Sequence, residues 1–162
     1  MRAKSLIEPL SKRLVVINEK VLELIWEHRQ VRTVDCEAGG VLIGKRRGDH
    51  LEVTAASPPQ ARDVRSRSRF TRFPDGHQQI IEGRWLASGG EDNYLGEWHT
   101  HPQICASPSS IDIREWKKLS CDYDAPLVVV IGGLEQFYFG LLVGSSLLTL
   151  EDSSLSFPSI FS

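Results

Sequence analysis

The chain has 162 residues, 41% of them apolar, and a formal net charge of -2 at pH 7. That length fits one domain, burying roughly 70% of its unfolded surface. The near-neutral balance excludes a general attraction to nucleic acid or to an anionic membrane.

The longest apolar runs, Leu127 to Gly133 and Phe137 to Gly144, are too short to span a bilayer, and the first residues lack the apolar stretch of a signal peptide. A cytoplasmic protein is expected. Cys36, Cys105 and Cys121 are an odd count with no C-x-x-C pair. They read as reduced thiols, which argues against a disulfide framework or a thiolate zinc site.

In chain order, Asn18 caps a predicted helix from Glu19 to about Arg29, with Val21, Leu22, Leu24, Ile25 and His28 near one face. Gly39 to Gly44 opens a strand whose hairpin partner is Leu51 to Ser57, turning through Gly48-Asp49. Pro58-Pro59 ends that strand. Residues 60 to 73 carry Arg62, Arg65, Arg67, Arg69 and Arg72 and read as a loop or irregular strand. A solvated loop is the default, and a substrate-facing segment is the alternative. Asp75 to Ser88 is helical in pattern, with Ile80, Ile81, Trp85 and Leu86 as its apolar positions and Gly89-Gly90 as its stop.

Tyr94 to Thr100 reads as a strand, and Ser109 to Leu119 as a helix. Three strands close the pattern: Leu127 to Ile131, Gln136 to Leu142 and Leu147 to Leu150. Residues 153 to 162 are too rich in serine to assign and are taken as a flexible tail. This order gives a mixed α/β class in one domain over 1–162, with its core at about 15–150.

The chemistry concentrates in one string. His99 and His101 leave the same face of a strand because successive side chains alternate. Seven residues then lead to Ser109, and two more to Asp112. Two imidazoles, one carboxylate and an open position are the donor set of a catalytic zinc site. Ser109 and Asp112 also have the spacing of a helix cap, and one serine can serve both purposes. Glu97 shares the strand face of His99; it is either a partner to a histidine N–H or an ordinary polar strand position. Cys105, between the motif's histidines and serine, reads as a small buried filler. Pro102 and Pro108 shape that loop, and Trp98 and Trp116 read as core.

The string H-x-H, seven residues, Ser, two residues, Asp, together with Glu37-Ala-Gly-Gly-Val-Leu-Ile-Gly44 upstream, resembles the JAMM motif of the JAB1/MPN/Mov34 metalloprotease family. The resemblance covers about residues 15 to 150. It implies a mostly antiparallel curved sheet flanked by helices, of the cytidine deaminase-like type. It further implies that His99, His101 and Asp112 hold Zn2+, that Ser109 supports the oxyanion, and that Glu37 is the general acid/base. Without the resemblance, Glu37 would read as an exposed residue before a strand. The family's reaction is hydrolysis of an isopeptide or peptide bond by metal-activated water, with no covalent intermediate.

Within the prokaryotic members, the stretches from Gly39 to Thr54, Tyr94 to Pro102 and Pro108 to Asp112 resemble the deconjugating proteases of bacterial antiphage CBASS operons. The implied partner is then the C-terminal tail of a conjugated protein, a cGAS-like nucleotidyltransferase, rather than nucleic acid or membrane. The resemblance sets no oligomeric state. Strand edges near the cleft suit an extended tail. Two other readings stay open: a peptidase processing a sulfur-carrier protein of ubiquitin-like fold, and a metal-free scaffold domain. The scaffold reading is disfavoured because every ligand position is filled. A zinc deaminase is excluded because the H-x-E and P-C-x-x-C pair is absent.

Overall fold

The structure is a computed structural model, and it describes residues 1–156. Its strands are β1 (Lys4–Ile7), β2 (Leu14–Ile17), β3 (Gly39–Arg47), β4 (His50–Ala56), β5 (Val64–Ser66), β6 (Arg69–Thr71), β7 (Asn93–Thr100), β8 (Leu127–Gly132), β9 (Phe137–Val143), β10 (Ser146–Thr149) and β11 (Glu151–Asp152). Its helices are α1 (Glu19–Glu27), α2 (Pro74–Ala87), α3 (Ser110–Cys121) and the short α4 (Ser153–Ser156). β5 and β6 form a separate two-stranded hairpin, and the other nine strands make one sheet in the order β10-β9-β8-β7-β3-β4-β2-β1-β11. Of its eight pairings only β2·β4 and β7·β8 are parallel. The chain is therefore a mixed α/β domain with a mostly antiparallel sheet.

The sheet's two edge strands, β10 and β11, are separated in the chain by Leu150 alone. The sheet must curl until its edges meet, and a curled sheet leaves few open strand edges. Its two faces carry different cores. On one, Val21, Leu22 and Ile25 of α1 pack with Leu6, Val15, Ile17, Leu42, Val53, Trp98, Val128 and Val130. On the other, Trp116 of α3 packs with Leu127, Val129, Ile131 and Leu142. β8 is buried on both faces, which is why Leu-Val-Val-Val-Ile-Gly is apolar without alternation.

The assigned helices and central strands are all present, with ends that differ by up to three residues. Several differences from the expected elements are seen. β1 and β2 were not anticipated: each is only four residues long and shows partly exposed positions. The arginine-rich segment holds the β5–β6 hairpin, whose three-residue strands are too short for a period-2 signal. In α2 the anticipated apolar face is largely outward, with Trp85 and Leu86 exposed, and the buried residue is His77. Of the serine-rich tail, Ser153–Ser156 is helical, and residues 157–162 lie outside the described residues.

One irregularity determines which side chains of β7 face which way. Leu42 pairs with Gly96 and Ile43 with Tyr94, so Leu95 is an extra residue in β7. This bulge reverses the alternation. Leu95 and Trp98 consequently share the α1 core, while Tyr94 packs with Trp116 on the other face, where the His99 ring also lies 5.5 Å from that of Trp116. Gly96 has φ 147° and a Cβ there would stand 1.8 Å from the Val128 carbonyl oxygen. Gly96→Ala is expected to cost at least about 2 kcal/mol in urea unfolding. Gly48 also has positive φ but an open surrounding, so Gly48→Ala should cost only about 1 kcal/mol. Equal costs would contradict this reading of the bulge.

Candidate metal centre

β7 delivers the two histidines. His99 is its penultimate residue, and His101 follows it, donating its backbone N–H to the Gly132 carbonyl at 3.0 Å. Thr100 between them points the other way and is fully buried. The chain then loops over the end of β8. Leu134 N–H donates to the Gln103 carbonyl at 2.7 Å, and Cys105 bridges to Gln136. Cys105 is exposed, so it is not the buried filler expected of it.

The loop ends at Ser109, which caps α3. Its Oγ accepts from the Asp112 N–H at 3.1 Å, and its own N–H donates to Asp112 Oδ2 at 2.7 Å. This capping box uses Asp112 as its third helical residue. The cap thus orients the carboxylate, and the helix dipole favours its charge.

The orientation brings three donor atoms together. His99 Nε2 and His101 Nε2 are 3.1 Å apart. Asp112 Oδ1 lies 3.2 Å from His99 Nε2, and Oδ2 lies 3.4 Å from His101 Nε2. Ligands bound to one tetrahedral zinc at about 2.0–2.1 Å stand about 3.3–3.4 Å apart. The donor set therefore fits a zinc ion in chemistry and in spacing. His101 Nδ1 lies 3.1 Å from the Ser107 carbonyl and donates to it, which leaves Nε2 with the lone pair a metal requires. Burial and the neighbouring His99 hold His101 below the ordinary imidazole range, in its neutral form. Burial would raise the Asp112 carboxyl, but hydrogen bonding and charge from His99, with both contacts from Ser109, hold it well below the usual carboxylate range.

Glu37 also joins the two histidines. Its carboxylate and the ring nitrogens of His99 and His101 lie within 4.8 Å of one another. The residue is buried, not the exposed strand-leader that its local sequence suggests. Burial, aided by the Asp112 charge and opposed by His99, pushes its carboxyl up to about 7. Such a group can hold or release a proton near neutral pH.

The other candidates fall outside the cluster. Glu97 accepts from Arg72 Nη2 at 2.6 Å and makes no contact with a histidine N–H. Trp98 is core, donating its indole N–H to the Ser57 carbonyl at 3.0 Å. Trp116 is core too, but its ring also braces the His99 imidazole. Most of the arginine-rich segment is committed to the protein itself. Arg62 pairs with Asp75 and stacks on Phe73, Arg67 reaches the Arg32 carbonyl, and Arg65 reaches the carbonyls of Cys36 and Glu37. Thr100 and Gln30 escaped the sequence reading. Thr100 Oγ1 accepts from the Ala38 N–H at 3.0 Å and donates to Gln30 Oε1 at 3.3 Å. Its position between two same-face histidines was the available signal, since alternation sends it inward.

The same chain segment matches the family Prok-JAB, described as prokaryotic homologs of the JAB domain, over residues 18–140. The chain belongs to that family, a metalloprotease family, and is an enzyme of that class. Among its relatives, a Pseudomonas aeruginosa protein named CD-NTase/cGAS isopeptidase is 40% identical over 137 residues, covering 83% of this chain and 87% of that protein. An Escherichia coli protein of the same name is 35% identical over 150 residues, covering 93% of this chain and 95% of that one. A solution structure of a Desulfitobacterium hafniense protein superposes with TM-score 0.56 at 25% identity, over 84% of this chain and 88% of its own. Among the described residues, no helix is long and apolar enough to cross a membrane.

A stability test follows from the burial of Glu37. Its folded-state pKa lies above the ordinary glutamate value, so the unfolded chain loses this proton first. The metal-free protein should therefore lose stability as pH rises from the ordinary glutamate range through about 7. Glu37→Gln is expected to raise the melting temperature of the metal-free protein by several degrees at pH 8 and to change it little at pH 5. No gain at pH 8 would contradict the burial argument.

Proposed function

We propose that the chain is a zinc-dependent isopeptidase that cleaves after the C-terminal tail of a conjugated protein. Its partner in this reading is a cGAS-like nucleotidyltransferase, released from its target in bacterial antiphage defence. The observation that carries the reaction is a buried carboxyl, Glu37, beside two imidazoles and a carboxylate at zinc-ligand spacing. The substrate assignment rests on the two relatives named CD-NTase/cGAS isopeptidase, which the chain matches over most of their length.

His99, His101 and Asp112 would hold the ion. Zinc would supply a Lewis acid and lower the pKa of water toward about 7. Glu37 takes the proton from the attacking water and returns it to the leaving amine. A bound dication favours its ionised form, so the group accepts a proton during attack and gives it up afterwards. In its cap, the Ser109 hydroxyl accepts a bond from Asp112. It still has its own proton to donate to the developing oxyanion. The products are an amine and a carboxylate, and no acyl-enzyme forms.

The test is incubation of the zinc-loaded chain with a nucleotidyltransferase conjugate and, in parallel, with ubiquitin chains and a sulfur-carrier precursor. Cleavage of the conjugate is expected, and Glu37→Ala should lower its rate by about 10²–10⁴-fold. Near-wild-type turnover by Glu37→Ala would remove the assigned base. Cleavage of the sulfur-carrier precursor alone would move the substrate class to the processing peptidases.

A further inference from the structure

Glu37 sits on a stretch of chain that has no strand of its own. It lies between α1 and β3, and it is held from two sides. On the sheet side, Ala38 N–H donates to Thr100 Oγ1 at 3.0 Å, and Thr100 N–H donates to the Ala38 carbonyl at 2.9 Å. On the other side stands the β5–β6 hairpin. Glu37 N–H donates to the Ser66 carbonyl at 2.7 Å. Arg65 Nε donates to the Glu37 carbonyl at 2.8 Å, and its Nη2 reaches the Cys36 carbonyl at 3.4 Å. The Phe70 ring lies against Gly39, 2.6 Å from where a Cβ would stand.

The hairpin is itself fixed at both ends. Gln30, which is 1% exposed, donates to the Arg67 carbonyl at 2.6 Å and so ties the hairpin turn to Thr100. At the hairpin root, Asp63 accepts from the Phe73 N–H at 2.8 Å, which joins the residues just outside the two strands. The same carboxylate meets His77 Nε2 at 3.0 Å, and His77 Nδ1 lies 2.6 Å from Ser57 Oγ. Ser57 and His77 are fully buried, and the Asp63 side chain is too, so this Ser–His–Asp chain is a tether and not a hydrolytic site.

We propose that Arg65 is a positioning residue for Glu37. Its guanidinium bridges two successive carbonyls and so fixes the backbone from which the base projects toward His99 and His101. A planar fork with several N–H donors suits two carbonyls, whereas a lysine ammonium reaches one as a point charge. The hydrogen bonds of Arg65 end on the Cys36 and Glu37 backbone and not on a side chain of the cluster. Its influence passes through the placement of Glu37, where a shift of about 1 Å can cost about 10²-fold in rate. The inference deepens the isopeptidase reading and rests on it.

The experiment uses the full zinc-loaded chain and a conjugate substrate, with R65A, R65K, E37Q and the double variant R65A/E37Q. R65A is expected to lower kcat by about 10–100-fold while KM and zinc content stay within about twofold of wild type. R65K should recover part of the loss. In the E37Q background, R65A should cause no further loss of residual rate, because the two residues act as one unit. Wild-type kcat for R65A would overturn the proposal. So would an equal loss in the E37Q background, or a raised KM at unchanged kcat, which would make Arg65 a substrate contact. Full activity of E37Q alone would instead overturn the proposed function.

Discussion

Everything at this site depends on holding His99, His101 and Asp112 with their donor atoms 3.1–3.4 Å apart. Without a proton or a cation among them, the imidazole lone pairs and the carboxylate oxygens repel one another. Such an arrangement persists only where the surrounding structure over-determines it. Here each donor is fixed from a different direction. The two histidines come from the end of a strand paired on both sides, β3 and β8. Trp116 braces one ring, and the Ser107 carbonyl holds the other. Asp112 is held by the cap of α3. A capping box is usually a device of helix stability; here it also aims a carboxylate.

The bulge at Gly96 links this cluster to the core. A β7 without it could not bury Leu95 and Trp98 against α1 and also present His99 toward α3. The fold thus accepts one residue of positive φ, which only glycine adopts without a clash here, so that the histidine-bearing strand serves both faces. The candidate base is supported by a different principle. Glu37 is placed by hydrogen bonds from a small hairpin and from Thr100, not by a place in the sheet. The candidate ligands are built on rigid elements, and the candidate base is clamped between them.

Much of this was legible in the sequence, for local reasons. The H-x-H spacing, the Ser-x-x-Asp cap and the Gly-Gly strand each have ordinary structural meanings alone, but as short-range patterns joined in one string they point to a single site. The central strands were found because Leu127 to Ile131 and Gly39 to Gly44 are apolar enough to be core. What escaped was non-local or too short. β1 and β2 are marginal as four-residue segments and gain their stability from β4, β11 and α1. His77 gave no sign of burial, because its partners Ser57 and Asp63 are 20 and 14 residues away. The arginines of the 62–72 segment looked like a solvated or substrate-facing run, yet Arg65, Arg67 and Arg72 serve backbone carbonyls and Glu97. No periodicity encodes such contacts.

The central claim is that three side chains form one metal centre beside a base that is not itself a ligand. Calorimetric titration of the metal-free chain with zinc tests it most directly, using wild type, Asp112→Ala and Glu37→Ala. The account predicts one zinc per chain in wild type and in Glu37→Ala, with affinity lowered by at least about 100-fold in Asp112→Ala. Unchanged affinity in Asp112→Ala, or a wild-type stoichiometry of only a few tenths, would contradict it.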